Sequence, residues 1–333
     1  MKLTIAIPTY NRNEILKNNL RILMPQITSD CRLLILDNCS DVPVSDSLGD
    51  IIGEYASVDI NVIRNSYNLG LTGNILRCFE MCNDPWLWVL GDDDEVKEGA
   101  IEQIINDLKK YKDNHFISYA WDKPSFQRKK DLITSGADQL IDSFESLGVI
   151  LFISAGIYNV EKVMSKLSFG NFFQSTYAPH LVVLFMSLGE NGKSVLSSKQ
   201  IVVNKGFETP VQLRWDQIFF YQIILLLRLP LNPTTIWKLR KRLVELTKLW
   251  TITHLIYTMV FTDYKDKNNK RPLVLYNDIV RSFFYLDKRI STWLIKLIGY
   301  VVIRFPRVFK PIMSFVYRVV KGKKFDPNNN LRI

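Results

Sequence analysis

The stretch Trp86-Leu-Trp-Val-Leu-Gly-Asp92-Asp93-Asp94-Glu95 constrains the fold more than any other part of the chain. Five apolar residues of strand character run, after one glycine, into three adjacent carboxylates. A helical pattern follows, with Ile101, Ile104, Ile105 and Leu108 on one face. The strand must be buried along its length, yet its end must reach a place where three like charges are solvated or compensated. A solvated acidic turn capping the next helix meets that demand, and so does the edge of a ligand site at the end of a buried strand.

The first 120 residues repeat the strand-then-helix pattern. Leu3–Ile7 reads as a buried strand, and Asn13 as the cap of a helix carrying Leu16, Leu20 and Leu23. Leu33–Leu36 reads as a second strand ending at Asp37, followed by a helix around Leu48, Ile51, Ile52 and Tyr55. A short strand at Ile60–Ile63 precedes a helix striped by Ile75, Cys78, Phe79 and Cys82, and Phe116–Ala120 reads as a further strand. This order predicts an α/β fold with a Rossmann-like, mostly parallel sheet flanked by helices. Residues 121 to about 148 read as a charged loop laid over the sheet's rim. Beyond them the pattern predicts a strand at Gly156–Val160, a helix near Leu181–Leu188 and a strand at Gln200–Asn204. After Thr209-Pro210 the character turns helical, with long helices expected over Trp215–Leu229 and Thr235–Phe261 and a basic helical stretch at the end. The expected domains are 1–213, itself made of halves 1–120 and 121–213, and a basic helical region 214–333.

Composition sharpens that division. With 47% hydrophobic and 12% aromatic residues the chain is not a disordered polymer. From Arg214 onward there are 23 Lys+Arg against 7 Asp+Glu, whereas the remainder holds 20 against 26. A mildly acidic part and a strongly basic part point to two different jobs. Cys31, Cys39, Cys78 and Cys82 lack metal-site spacing, so neither a disulfide framework nor a structural zinc is expected, and a reducing compartment is. The strand pattern beginning at Leu3 predicts no signal peptide. Lys296, Arg304 and Pro306 interrupt the longest apolar stretches, so no membrane-spanning helix is expected.

In open, mostly parallel sheets ligands bind beyond the carboxyl ends of the strands. That rule gathers four polar turns on one rim. The first, Pro8-Thr9-Tyr10-Asn11-Arg12, offers a hydroxyl, backbone donors, an aromatic ring and a cation suited to phosphate. The second begins at Asp37, a carboxylate able to accept from a base N–H or ribose hydroxyls, or to cap the next helix. The third, from Arg64 to Asn74, contains Asn68, Gly70, Gly73 and Asn74, and its glycines permit close approach of backbone to ligand. The fourth is the aspartate cluster, whose hard oxygens suit Mg²⁺ or Mn²⁺ carrying a diphosphate.

These four turns, in this order, resemble the family 2 glycosyltransferases, whose nucleotide-sugar domain has the GT-A fold. The resembling residues are Ile5-Ala-Ile-Pro-Thr-Tyr-Asn-Arg12, Leu36-Asp-Asn-Cys-Ser-Asp41, Asn68-Leu-Gly70 with Asn74, and Leu90-Gly-Asp-Asp-Asp94. The chain is similar, more narrowly, to bacterial sugar transferases of surface-polysaccharide (O-antigen or capsule) assembly, including abequosyltransferase-like members. The resemblance is strong over residues 1–110, faint to about 205 and absent beyond. It implies a metal-dependent, inverting transfer of a sugar from a nucleotide-sugar donor to a hydroxyl of a lipid-linked glycan. Asp37 would meet the nucleotide base, with Pro8, Thr9, Tyr10, Arg12, Asn68, Gly70, Asn74 and Asp92 lining the donor. The family's Asp-x-Asp metal site would fall on this cluster in one of two registers. In the first Gly91 takes the leading position and Asp93 binds metal beside Asp94; in the second Asp92 and Asp94 form the pair.

The resemblance also implies an acidic Glu-Asp pair supplying the general base, and no such pair exists between Ile150 and Gly206. His180 is the expected substitute, since imidazole titrates near neutrality. Asp94 is the second catalytic candidate, Glu190 and Asp142 are weaker ones, and His115 and His254 read as structural. In the C-terminal region Trp293, Leu294, Leu297, Ile298, Val301, Val302 and Phe305 share one helical face among Lys296, Arg304, Arg307 and Lys310. That mixture predicts contact with an anionic membrane surface, or a helical subdomain packed on the rest, rather than nucleic-acid binding. The expected location is cytoplasmic, peripheral on the inner face of a bacterial cell membrane. Two other readings compete with the transferase. One is a nucleotide-sugar-binding or adaptor protein without catalysis. The other is a nucleotidyltransferase, disfavoured by the absence of a Gly-rich loop after the first strand.

Overall fold

The computed structural model describes residues 2–121, 127–144, 146–203, 222–246 and 290–321, together with positions 256, 260 and 277. Among the described residues the strands are β1 (Leu3–Thr9), β2 (Cys31–Asp37), β3 (Ile60–Arg64), β4 (Trp86–Val89), β5 (Glu95–Val96), β6 (Phe116–Ala120), β7 (Leu132–Ser135), β8 (Gly156–Asn159), β9 (Lys193–Gln200) and β10 (Val202–Val203). Its helices of ten or more residues are α1 (Asn13–Leu23), α2 (Gly70–Glu80), α3 (Ala100–Lys110), α4 (Pro179–Leu188), α5 (Pro233–Leu246), α6 (Ile290–Arg304) and α7 (Pro306–Lys321). Eight strands form one sheet in the order β3-β2-β1-β4-β8-β6-β9-β7, and β5 pairs with β10 in a separate ribbon. β1 to β4 are mutually parallel, β8 runs antiparallel between β4 and β6, β9 lies parallel to β6, and β7 closes the edge antiparallel. The mostly parallel sheet expected from sequence is therefore present, with β8 wedged between β4 and β6 and separating strands that are close in sequence.

Period-two alternation decides which helix covers which face. Leu3, Ile5, Ile7, Leu33, Ile35, Trp86 and Trp88 turn to one side, where Leu16 and Leu20 of α1 and Ile101, Ile104 and Leu108 of α3 complete one buried cluster. α2 covers the other side against β1 and β2, burying Ile75, Leu76, Cys78 and Phe79. Pro8 is tolerated in a central strand because β4 stops pairing at Val89, opposite Ala6, so no ladder partner is lost at residue 8.

Residues 121–148 are not simply a loop: β7 and a helix at Gly136–Asp142 lie there, and β7 completes the sheet edge beside β9. Its Leu132 and Ile133 are exposed, which makes the segment read as surface rather than strand. The expected strand at Gln200–Asn204 is instead the end of β9 and the short β10. Part of the Trp215–Leu229 helix and the second half of Thr235–Phe261, with His254, lie outside the described residues; Ile223–Arg228 forms a 3-10 helix and α5 ends at Leu246. The chain divides into two compact units, Met1–Pro210 with Leu229–Leu239, and Val211–Arg228 with Arg240–Ile333. Among the described residues no helix is long and apolar enough to cross a membrane.

Candidate active site

Strand register builds the rim. Thr9 stands opposite Asp37, and Asp37 opposite Arg64, so three strand ends finish in one row. Leu90 follows β4 with its N–H donated to the Ala6 carbonyl at 2.9 Å, which carries the aspartate turn to the same edge. The first two turns leave their strands through left-handed residues, Asn11 at φ 53° and Cys39 at φ 66°. Such conformations are uncommon outside glycine and persist where surroundings fix them. Here Asn11 donates from its side chain to Asp41 (3.0 Å) and accepts from the Asp41 N–H (2.7 Å), while its own N–H donates to Ser40 Oγ (2.9 Å). The two turns are thereby stitched into one surface.

Arg12, at the start of α1, reaches across this surface to the aspartates. Its Nη1 donates to Asp92 Oδ1 at 2.6 Å and its Nη2 to Asp93 Oδ2 at 2.7 Å. Thr9 Oγ1 donates to the other Asp92 oxygen at 2.7 Å. Asp94 turns inward instead. It accepts the Ser154 hydroxyl at 2.5 Å, the Gly91 N–H donates to that same Ser154 oxygen at 2.8 Å, and Asn19 of α1 holds the Asp94 carbonyl at 2.8 Å. The three carboxylates therefore diverge, and Asp93 is the most exposed of them. The same packing explains the glycine at 91: a Cβ there would overlap the Asp94 carboxylate.

Electrostatics follow from this placement. Burial pushes Asp92 up to about 6, against the pull of Arg12 and the Thr9 hydrogen bond. Burial also raises Asp94, to about 7; Ser154 opposes the rise, and repulsion from Asp93 and Asp92 adds to it. Arg12 is raised: burial alone would lower it, but the carboxylates, Asp92 foremost, outweigh that. The turn holds more negative charge than its one cation balances.

The second and third turns differ from expectation. Asp37 is buried, and its oxygens accept from Ser40 N–H (2.8 Å), Val44 N–H (3.3 Å) and Arg64 Nη1 (2.6 Å). Burial alone would raise its pKa, yet these donors bring it below the usual carboxylate range. Asp37 thus caps the turn and anchors Arg64, whose exposed guanidinium is the group that meets solvent at this corner, also donating to Ser40 O at 2.7 Å. Asn74 is likewise held from within: it is buried, donating to Leu36 O and accepting from Asn65, both at 2.9 Å. Asn68 accepts from Asn38 (2.9 Å) and from the Gly70 N–H (2.8 Å), fixing Gly70 at φ 73°, where it is exposed with open space beside it. Tyr10 and Tyr67 are exposed on these turns. Ser154, Asn19 and Arg64 are site residues the motif reading missed. Arg64 carried a signal, an opposite charge at the strand end beside Asp37; Ser154, sixty residues from Asp94, carried none.

His180 does not join the rim. It is 3% exposed in the first turn of α4, its ring nitrogens make no more than a weak contact with the Leu151 backbone, and burial lowers its pKa to about 4 against that contact. In this conformation it is closed to an acceptor hydroxyl. Asp142 is paired with Lys238 at 2.5 Å, away from the aspartate turn.

The comparisons with known proteins agree with this geometry. Residues 4–151 match the profile described as "Glycosyl transferase family 2". The chain is 30% identical over 103 residues to the abequosyltransferase RfbV of Salmonella typhimurium, covering 30% of this chain and 31% of that protein. It is 23% identical over 107 residues to the GalNAc(5)-diNAcBac-PP-undecaprenol beta-1,3-glucosyltransferase of Campylobacter jejuni, covering 31% and 33%. The chain thus spans about a third of the length of the curated relatives it matches. Among solved structures it is similar to S. aureus TarS 1-349, with a TM-score of 0.61 and 12% identity over 98% of this chain and 93% of that one. TarS has also been solved with UDP-GlcNAc. Four strand-end turns on one rim and a matching profile over the strands that carry them lead to one statement: residues 4–151 match the family 2 glycosyl transferase model, on a sheet that shares the fold of TarS 1-349.

Proposed function

We propose that this chain is a glycosyltransferase that moves a sugar from a nucleoside-diphosphate sugar to a hydroxyl of a lipid-linked glycan, with inversion, in surface-polysaccharide assembly. The observation that carries this reading is the clamp of Arg12 on Asp92 and Asp93 at the mouth of the four turns. The clamp gathers the cation and the carboxylates that a diphosphate leaving group requires. Exposed Tyr10 and Tyr67 offer ring faces for a nucleobase, and Arg64 and Arg12 offer bidentate donors to phosphate oxygens. The lipid-linked acceptor is supported by the name of the Campylobacter relative and by the basic helices described below.

The donor set also fits a divalent cation. Its oxygens are hard, the turn carries excess negative charge, and Asp93 is the most exposed carboxylate, beside Asp92. Among the described residues no three acidic, histidine or cysteine side chains are arranged to hold a metal alone. Mg²⁺ commonly binds through one or two carboxylates and takes further ligands from substrate phosphates. Asp93 would be the principal protein ligand with Asp92 beside it, and Asp94 would support them from beneath through Ser154. When bound, such an ion stabilises the charge that develops on the departing diphosphate. The chain's own contribution is to hold Asp92 and Asp93 in place through Thr9 and Arg12, and to orient phosphate with Arg12 once it is drawn toward the donor.

Calorimetric titration with a panel of nucleoside diphosphates, with and without Mn²⁺, tests this. One nucleotide should bind in a metal-dependent manner to the natural chain and not to Asp93→Ala. Absence of binding by every nucleotide would overturn the reading.

A further inference from the structure

Helices α6 and α7 expose more apolar surface than folding alone explains. On α7, Val308, Ile312, Phe315, Val316 and Val319 recur at helical spacing and all are exposed, Phe315 to 69%. Arg307, Lys310 and Arg318 occupy a separate arc of the same helix, also exposed. On α6, Trp293, Leu294, Leu297, Ile298, Tyr300 and Val301 are exposed, while Gly299, Val302 and Ile303 turn inward. The helices touch and meet at Phe305-Pro306, where the Phe305 N–H donates to Val301 O and the Val308 N–H to Phe305 O, both at 3.1 Å. Pro306 starts α7, a position where its missing N–H leaves no bond unmade.

Such a surface needs a cover, and length decides how. α6 has 15 residues, or roughly 22 Å at the α-helical rise. A bilayer's hydrocarbon core is about 30 Å thick. α7 has 16 residues, contains Pro311 and carries its cations along its whole length. Neither helix spans, so the apolar faces are covered lengthwise. Charge then decides by what. Residues 290–321 contain six Lys+Arg and no Asp or Glu. A second copy of this surface would bring like charges together, whereas anionic headgroups complement the net charge.

We propose that α6 and α7 lie in the plane of an anionic membrane leaflet as an interfacial anchor. Val308, Ile312, Phe315 and Val319 enter the acyl boundary, and Arg307, Lys310 and Arg318 reach phosphate headgroups. Trp293 and Tyr300 sit at headgroup depth, where amphipathic rings are favoured. The anchor stands on these two helices alone and does not depend on the donor chemistry. Where that chemistry holds, the anchor brings the enzyme to the surface on which a lipid-linked acceptor is carried.

The test uses the full chain with vesicles of phosphatidylcholine, or of an equal mixture of phosphatidylcholine and phosphatidylglycerol, without nucleotide or metal. The chain should co-sediment with the mixed vesicles, weakly with neutral ones, and less as salt rises. Phe315→Asp with Val319→Asp should weaken binding by about tenfold or more, since two apolar side chains no longer enter lipid. Arg307→Glu with Arg318→Glu should weaken it by at least about tenfold, through lost headgroup attraction. All four positions are exposed, so folding is retained, and thermal unfolding verifies it. Absence of binding to mixed vesicles, or binding unchanged by both variants, would overturn the anchor. So would an oligomer, seen by light scattering without lipid, that Phe315→Asp with Val319→Asp disperses.

Discussion

Two clusters of carboxylates, both built on the same sheet, behave in opposite ways. Asp131, half-buried just before β7, accepts the Ser198 N–H, the Ser198 hydroxyl and the Tyr111 hydroxyl, each at 2.8 Å. Burial alone would raise its pKa, but those donors, the Ser198 N–H first, bring it down to about 2. Asp94, buried at the end of β4, accepts one hydroxyl and stands beside two more carboxylates; it is pushed up to about 7. Burial acts in the same direction on both. The depth of burial, far greater for Asp94, the number of donors aimed at each carboxylate and the sign of its neighbours together decide the outcome. A cluster satisfied from within is a piece of architecture. A cluster left with uncompensated charge at the end of a central strand is the one prepared to receive a ligand.

The contrast breaks most sharply by mutation. Asp93→Ala should lower donor-dependent transfer by about a thousandfold or more, because an electrostatic stabiliser of the leaving group is removed. Its unfolding temperature should barely move, since losing the Arg12 pair is offset by relief of the repulsion Asp93 exerts on Asp92 and Asp94. Asp131→Ala should do the reverse. It leaves three donors without their acceptor and costs about 2 kcal/mol of stability, with turnover of the folded fraction little changed. A nucleotide-release assay and thermal unfolding, run on both variants, settle the matter. If Asp131→Ala abolished transfer without loss of stability, the division between architecture and site would fail.

The same contrast has a pH signature. For Asp94 the folded pKa, about 7, exceeds the unfolded value of about 3.9. Its stabilising contribution is complete below the unfolded value and is lost as pH rises through about 7. For Asp131 the folded pKa, about 2, lies below the unfolded value. Its contribution is present above about pH 4 and is lost as pH falls through about 2. Each group changes stability by at most about 1.4 kcal/mol per pH unit within its window. Denaturant unfolding of the metal-free chain should therefore show Asp94→Asn flattening the limb between about pH 4 and 7. Asp131→Asn should flatten only the acid limb. Interchanged or absent effects would contradict the assignment of either cluster.

What the sequence revealed and what it hid divide along similar lines. The N-terminal half was legible because its signals are local. Leu3–Ile7, Leu33–Leu36 and Trp86–Leu90 are uninterrupted apolar runs bounded by polar turns, and parallel strands put every such turn on one rim. The roles inside the turns were less legible. Asp37 and Asn74 have the chemistry of ligand contacts, yet backbone N–H groups and carbonyls from residues 36 to 44 claim them first. Ser154 was invisible because nothing local marks a serine that closes on a carboxylate sixty residues earlier. β7 was missed because Leu132 and Ile133 of an edge strand are exposed, so polarity no longer reports pairing.

His180 offers the smallest expected effect and the finest test of how far chemistry can be read from residue type. A histidine near the middle of a chain that resembles a transferase family but lacks its acidic pair is the natural substitute for a base. The structure gives it no well-formed hydrogen bond beyond a weak contact with the Leu151 backbone, almost no solvent and a pKa of about 4. A buried polar ring so weakly partnered is a burden on stability, of about 1–3 kcal/mol by comparison with a satisfied or apolar group. His180→Leu should therefore unfold at the same or a higher temperature, and transfer should stay within about threefold of the natural chain, far short of the 10²- to 10⁴-fold typical of a lost general base. A loss of about a hundredfold with stability intact would show that α4 opens during turnover and that His180 is the base after all. The distinction rests on kcat, because a base acts on the acceptor's proton and not on the affinity of the donor.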